Sequence, residues 1–121
     1  SQGLPAAPGN HPILRALHAY ADGDLPALDE IPVAQPGGEF HTAVREAMRR
    51  IPPGRSVSYS ELAAMAGRPA AARAAAGACA RNRVAIVVPC HRVIRGDGGL
   101  GGYAYGLDVK QALLDFERRH A

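Results

Sequence analysis

Helical signals recur in five stretches of the chain, separated by short runs of proline and glycine. Ile13, Leu14, Leu17 and Tyr20 follow Pro12 at helical spacing as far as Gly23, and proline suits a first helical turn. Phe40, Ala43, Val44, Ala47, Met48 and Ile51 form the apolar stripe of a second helix, which stops at Pro52-Pro53-Gly54. Ser58-x-x-Glu61 is a capping box opening a third helix through Leu62, Met65 and Ala66, and Gly67 is placed to end it. After Gly67-Arg68-Pro69 a fourth runs from Ala70 to about Arg81, where Asn82 can take the left-handed cap. Asp108-x-x-Gln111 caps the last, whose core face carries Val109, Leu113 and Phe116.

One stretch departs from this period. Val84 to Val88 is rich in β-branched residues and reads as a short buried strand that delivers Cys90 to the edge of the core. Leu25 to Gly38 holds three prolines and two glycines and reads as an extended connection over the surface. The expected fold is mainly α with a short β element. The third and fourth helices, joined by a tight glycine-containing turn, form a helix-turn-helix. Residues 1–11 lack apolar periodicity and read as a flexible arm.

Length and composition narrow the class. With 121 residues the chain holds one core, and its two cysteines, Cys79 and Cys90, belong to no Cys-x-x-Cys pair, so no metal site is expected. There is no secretory signal and no apolar run of membrane length, and a reduced, cytoplasmic protein is expected. The net charge of +3 is unevenly spread: Phe40 to Arg95 holds ten arginines and two acids, a balance of +8, and the rest of the chain carries −5. Such a patch is the electrostatic footprint of nucleic-acid binding, or else a solvated arginine face. The fourth helix offers little but methyl groups and Arg73. It can approach another backbone closely but can read few major-groove base edges.

The candidate chemistry lies in Pro89-Cys90-His91-Arg92. Only a thiolate is a good nucleophile, so a reactive cysteine needs a base or a positive field nearby. On an extended segment His91 points away from Cys90 and would reach it through a turn or a bridging water. Against this stands the reading of Cys90 as a small core residue. The glycine-rich stretch from Arg95 to Gly106 carries Tyr103 and Tyr105 and reads as a pocket wall rather than a phosphate loop. Glu117 adjoins the core face of the last helix, with His91, Arg118 or solvent as its partner.

These residues resemble the O6-alkylguanine-DNA alkyltransferases. Pro89-Cys90-His91-Arg92-Val93-Ile94, with Asn82 before it and Gly102-Tyr103 and Leu113-Leu114-x-x-Glu117 after it, is similar to the active-site region of that family. Ile51-Pro52-x-Gly54, Ser58-Tyr59, Gly67-x-Pro69 and Ala72-Arg73-Ala74 fit in register, and the likeness covers roughly residues 40 to 119. Ala78-Cys79-Ala80-x-Asn82 resembles the bacterial adaptive-response branch. The resemblance implies a helix-turn-helix, winged-helix-like domain that binds duplex DNA through the minor groove, flips the damaged guanine and moves its alkyl group irreversibly onto a cysteine. O4-alkylthymine is a further candidate lesion. It implies Cys90 as acceptor, His91 as base through a water, Glu117 orienting His91, and Asn82 holding the active-site turn. It also implies that Tyr59 rotates the nucleotide, Arg73 fills the vacated stack, and Tyr103, the Val93 carbonyl and the Ala104 amide bind the base. No cofactor and no metal are implied, and a monomer is expected.

Two departures stand out. Phe40-His41 and Arg45 replace the family's Phe-Gln and tryptophan, and residues 12–39 hold only a helix and connection where longer members carry a sheet-containing domain. Residues 40–121 are thus the DNA-binding and acceptor unit. The alternatives are a non-catalytic sensor of alkylated DNA, which would lack the acceptor cysteine, a helix-turn-helix regulator, and a cysteine hydrolase.

Overall fold

The computed structural model describes residues 12–121 apart from Glu30, Ala34, Pro36, Arg83 and Ala104; the arm read at residues 1–11 lies outside the described residues. Five helices and one two-stranded sheet follow in the order α1 (Pro12–Ala21), α2 (Glu39–Arg49), β1 (Val57–Ser58), α3 (Tyr59–Met65), α4 (Ala72–Ala80), β2 (Val93–Ile94) and α5 (Leu107–His120). Two 3-10 turns, Leu25–Leu28 and Cys90–Arg92, interrupt the connections.

The helix-turn-helix forms where the sequence places it. Ser58 Oγ accepts from the Glu61 amide at 3.0 Å and the Ser58 amide donates back to Glu61 Oε1 at 2.8 Å, which completes the capping box. Ser58 also ends β1, so one residue couples strand to helix. At the other end Gly67, at φ 92°, lets the Arg68 amide reach the Ala63 carbonyl and its own amide reach Ala64, a Schellman stop. Pro69 then occupies a turn closed by the Ala71 amide on the Arg68 carbonyl, so α4 starts two residues later than expected. Val44, Ala47 and Met48 of α2 pack with Leu62, Ala63, Ala75 and Ala78 of α3 and α4 as the main core.

Five expectations are overturned. Val84 to Val88 is a tight turn, closed by the Val88 amide on the Val84 carbonyl, with Ile86 at φ 72° and a single bridge between Ala85 and Val88. The Asn82 side chain takes up the Val84 amide and the Val88 carbonyl, groups that a strand would offer to a ladder. The sheet lies elsewhere: β1 and β2 pair in parallel, Val57 with Val93 and Ser58 with Ile94. Asn82 itself does not take a left-handed cap, since Ile86 is the one non-glycine residue at positive φ among those described.

The connection after α1 is not wholly extended. Leu25 and Leu28 turn inward and bury against Tyr20 and Val87 in a second, smaller cluster. α5 is capped by Gly106 rather than Asp108, which sits in its first turn. Its buried stripe is Lys110, Leu114 and Glu117, and Val109, expected on the core face, is 41% exposed. The helix is rotated because charged side chains, not apolar ones, fill the space facing the Cys90–Arg92 turn.

Candidate active site

Cys90 starts its 3-10 turn at the edge of the main core, 9% exposed. Three elements meet there. The C-terminal end of α4 brings Cys79 and Ala80, the turn after it brings Asn82, and the glycine loop brings Tyr103. Together with Tyr59 from the start of α3 they line a cavity of about 450 Å³ that Cys90 faces, with Arg95 and Tyr105 also on its wall. That is the size range of a small-molecule pocket. Gly101 has to be glycine here: at φ 74°, a Cβ would stand 2.8 Å from the Tyr59 hydroxyl.

Asn82 organises the turn. Its amide nitrogen donates to the Val88 carbonyl at 2.9 Å and to Cys90 Sγ at 3.3 Å, and its oxygen accepts from the Val84 amide and from Gln35 Nε2. Burial pushes the Cys90 thiol above its ordinary range, against the Asn82 hydrogen bond and the Lys110 charge, which favour the thiolate. The resting sulfur is therefore a neutral thiol at neutral pH. Cys79 is pushed further, to about 12, again by burial first and then by its neighbour Cys90, and its Sγ lies 3.7 Å from Met48 Sδ.

The segment is a 3-10 turn rather than extended, yet His91 does not line the cavity and is fully buried. Its Nε2 lies 2.8 Å from Glu117 Oε2. Glu117 also receives Arg92 Nε and NH2, each at 2.8 Å, and the Tyr20 hydroxyl at 2.7 Å. Burial alone would raise this carboxyl, but the bonds from His91, Arg92 and Tyr20 override it and hold it at about 2. An ionised carboxylate only accepts, so Nε2 must carry the imidazole proton. In the neutral ring Nδ1 is then the basic nitrogen, and among the described residues it has no hydrogen-bond partner although it is buried.

Three participants escape a reading of the sequence. Arg92 counts there as one more basic charge, yet it is 4% exposed and also caps the Ile51 carbonyl. Tyr20 reads as an apolar stripe residue. Lys110 is fully buried and donates to the carbonyls of Val93, Leu100 and Gly102, pinning the glycine loop to β2. Burial lowers its pKa, with the nearby thiols acting against that. The only signal for it was its place one helical turn before Leu114 and two before Glu117.

The remaining candidates are placed as follows. Tyr59 and Tyr103 are half-buried on the cavity wall, and burial raises both phenols, which keeps them as donors. The Val93 carbonyl, expected to bind the base, already accepts from Lys110 at 2.6 Å, which leaves its second lone pair. Arg73 is exposed on the first turn of α4 and does not line the cavity. Ala104 lies outside the described residues. No three His, Cys, Asp or Glu side chains cluster among the described residues, and no described helix is long and apolar enough to cross a membrane.

Fold and site define a helix-turn-helix domain with a buried thiol set into a cavity beside it. A family profile described as "6-O-methylguanine DNA methyltransferase, DNA binding domain" matches residues 39–119, and the chain belongs to that family. It is 50% identical over 105 residues to the methylated-DNA–protein-cysteine methyltransferase of Mycolicibacterium paratuberculosis, aligning 87% of this chain with 63% of that one. The crystal structure of Mycobacterium tuberculosis OGT in complex with DNA is similar at a TM-score of 0.80 and 41% identity, covering 91% of this chain and 68% of that one. S. pombe Atl1, solved with damaged DNA containing O6-carboxymethylguanine, is similar at a TM-score of 0.60 and 30% identity, covering 69% and 79%. The chain spans 63–65% of the length of two curated methyltransferase relatives.

Proposed function

We propose that the chain repairs DNA by direct reversal, moving the alkyl group of O6-alkylguanine onto Cys90 once per molecule. The observation that carries this reading is the pairing of a buried, cavity-facing thiol with a histidine whose outer nitrogen is locked onto an ionised carboxylate. Because burial keeps the thiol protonated, its proton must leave as the sulfur attacks. His91 Nδ1 accepts that proton through a bridging water, and Glu117 stabilises the imidazolium that results. The S–C bond forms as the C–O bond to guanine breaks. The guanine departs with the electron pair, and Tyr103 donates a hydrogen bond to the developing charge. A thioether is not reversed by simple hydrolysis, so no turnover follows.

The DNA partner follows from the same elements. α4, with its methyl surface, lies in the minor groove, Tyr59 helps turn the nucleotide out, and Arg73 fills the space left in the stack. The protein acts as a monomer on one lesion. Likeness to the DNA-bound OGT supports DNA as the partner, and the presence of Cys90 favours transfer over mere sensing.

Intact-mass spectrometry after incubation with an O6-methylguanine duplex tests the reading, with Cys90→Ser alongside. One added methyl on the wild type, saturating at one per molecule and absent from the variant, is expected. Tight lesion-selective binding with no mass change would overturn transfer in favour of a sensor.

A further inference from the structure

The Tyr20 hydroxyl donates to Glu117 Oε2 at 2.7 Å inside the protein, on the same oxygen that holds His91. Tyr20 belongs to α1, outside residues 39–119. Its ring is fixed by Phe116 at 5.4 Å between centroids, and Phe116 is in turn flanked by His120 at 4.5 Å. A tyrosine serving only to fill space would leave a phenylalanine there equally good. This one aims its oxygen at the carboxylate.

From this juxtaposition we infer that Tyr20 is a positioning residue for the alkyl-transfer reaction: through Glu117 it sets how strongly His91 holds a proton. The inference rests on the transfer reading of the site. Glu117 Oε2 divides its charge among three donors, Tyr20 Oη, His91 Nε2 and Arg92 NH2, while Oε1 accepts from Arg92 Nε. Each donor that draws on the oxygen leaves less of its charge for the others. Arg92 is permanently charged. Burial and the adjoining carboxylate keep the Tyr20 phenol protonated, so its draw is constant with pH. The other titratable groups around the set are Tyr103, which acts on Tyr20 and Glu117, Cys90, next to His91 in the chain, Lys110, which acts on Cys90, and His120 against Phe116. Removing the hydroxyl concentrates the carboxylate charge on His91, tightens that hydrogen bond and makes the imidazole a stronger base. The first helix is therefore part of the reactive machinery and not only packing.

The test is Tyr20→Phe in the full chain, with two readouts. The proton on His91 Nε2, observed by NMR, is expected to move downfield as its bond to Glu117 strengthens. The acid limb of the methyl-transfer rate against pH is expected to move to higher pH by about half to one unit, the scale of a redistributed charge-assisted hydrogen bond. Site-specific 3-fluorotyrosine at position 20, a stronger donor of nearly the same shape, should move both readouts the opposite way and serves if the phenylalanine variant folds poorly. A variant that melts earlier but keeps the wild-type resonance and pH profile would reduce Tyr20 to a structural role and overturn the inference. If the wild type transfers no methyl group, the transfer reading fails, whereas the NMR result still decides whether Tyr20 governs the Glu117–His91 bond.

Discussion

Glu117 keeps a negative charge at zero solvent exposure because four hydrogen bonds reach its carboxylate, three on Oε2 and one on Oε1. Its carboxyl is held at about 2 against an ordinary 4.5, and the sign of the consequence follows. A depressed folded-state value stabilises the fold above pH 4.5 and loses that contribution as pH falls toward 2. The loss is on the order of 3 kcal/mol. Urea midpoints at pH 7, 4 and 3 should fall steeply over the last interval, and Glu117→Gln should flatten the fall while lowering stability throughout. At this scale the sequence pointed directly to Cys90 and His91, whereas Asn82 read as a helix cap and entered the turn only through the family resemblance. It showed Glu117 only as one of several pairings and concealed Lys110, Arg92 and Tyr20. Burying charge is unfavourable for each residue singly, and only the assembled set, with carbonyls and carboxylate converging, makes it stable.

Elements were legible where local chemistry alone decides them. The capping box, the Gly67 stop and the stripe of α2 need no tertiary information, and each forms as spaced. Ser58→Ala removes the acceptor for the Glu61 amide and should cost about 1 kcal/mol. Because the same residue joins β1 to α3, the loss should also weaken DNA affinity, measurable by fluorescence anisotropy beside a thermal melt. The turn at Val84 to Val88 was illegible for the opposite reason. β-branched composition favours extension, but one side chain six residues from Val88 captures its carbonyl and bends the run. The rotation of α5 was hidden in the same way, because hydrophobic pattern predicts which face is apolar and not which face is filled.

Across the whole molecule the basic surface is smaller than a residue count gives. Arg92 is buried and its charge is met by Glu117, whereas Arg49 donates to the carbonyls of Leu28 and Asp29, Arg50 to that of Met65, and Arg68 lies over the Phe40 ring, each keeping its charge. Arg50, Arg55, Arg68, Arg73, Arg81 and Arg95 stand exposed. Affinity for duplex DNA should fall linearly with salt on logarithmic axes, and replacing one phosphate-contacting arginine should reduce the slope by about 0.9. Arg55→Ala and Arg81→Ala titrations between low and physiological salt would measure which of these meet phosphate, and Arg49→Ala should leave the slope unchanged.

The bond between Tyr20 and Glu117 joins residues 97 positions apart, close to the two ends of the described chain. Synthesis runs from the N-terminus, so Cys90 leaves the ribosome well before α5 does. Until that last helix emerges and closes the long loop, His91 has no carboxylate to hold it. A nascent chain in which α5 has not yet docked thus carries Cys90 beside a histidine with no carboxylate partner. On the proposed reading, competence for transfer arrives only when α5 docks and the carboxylate of Glu117 meets His91.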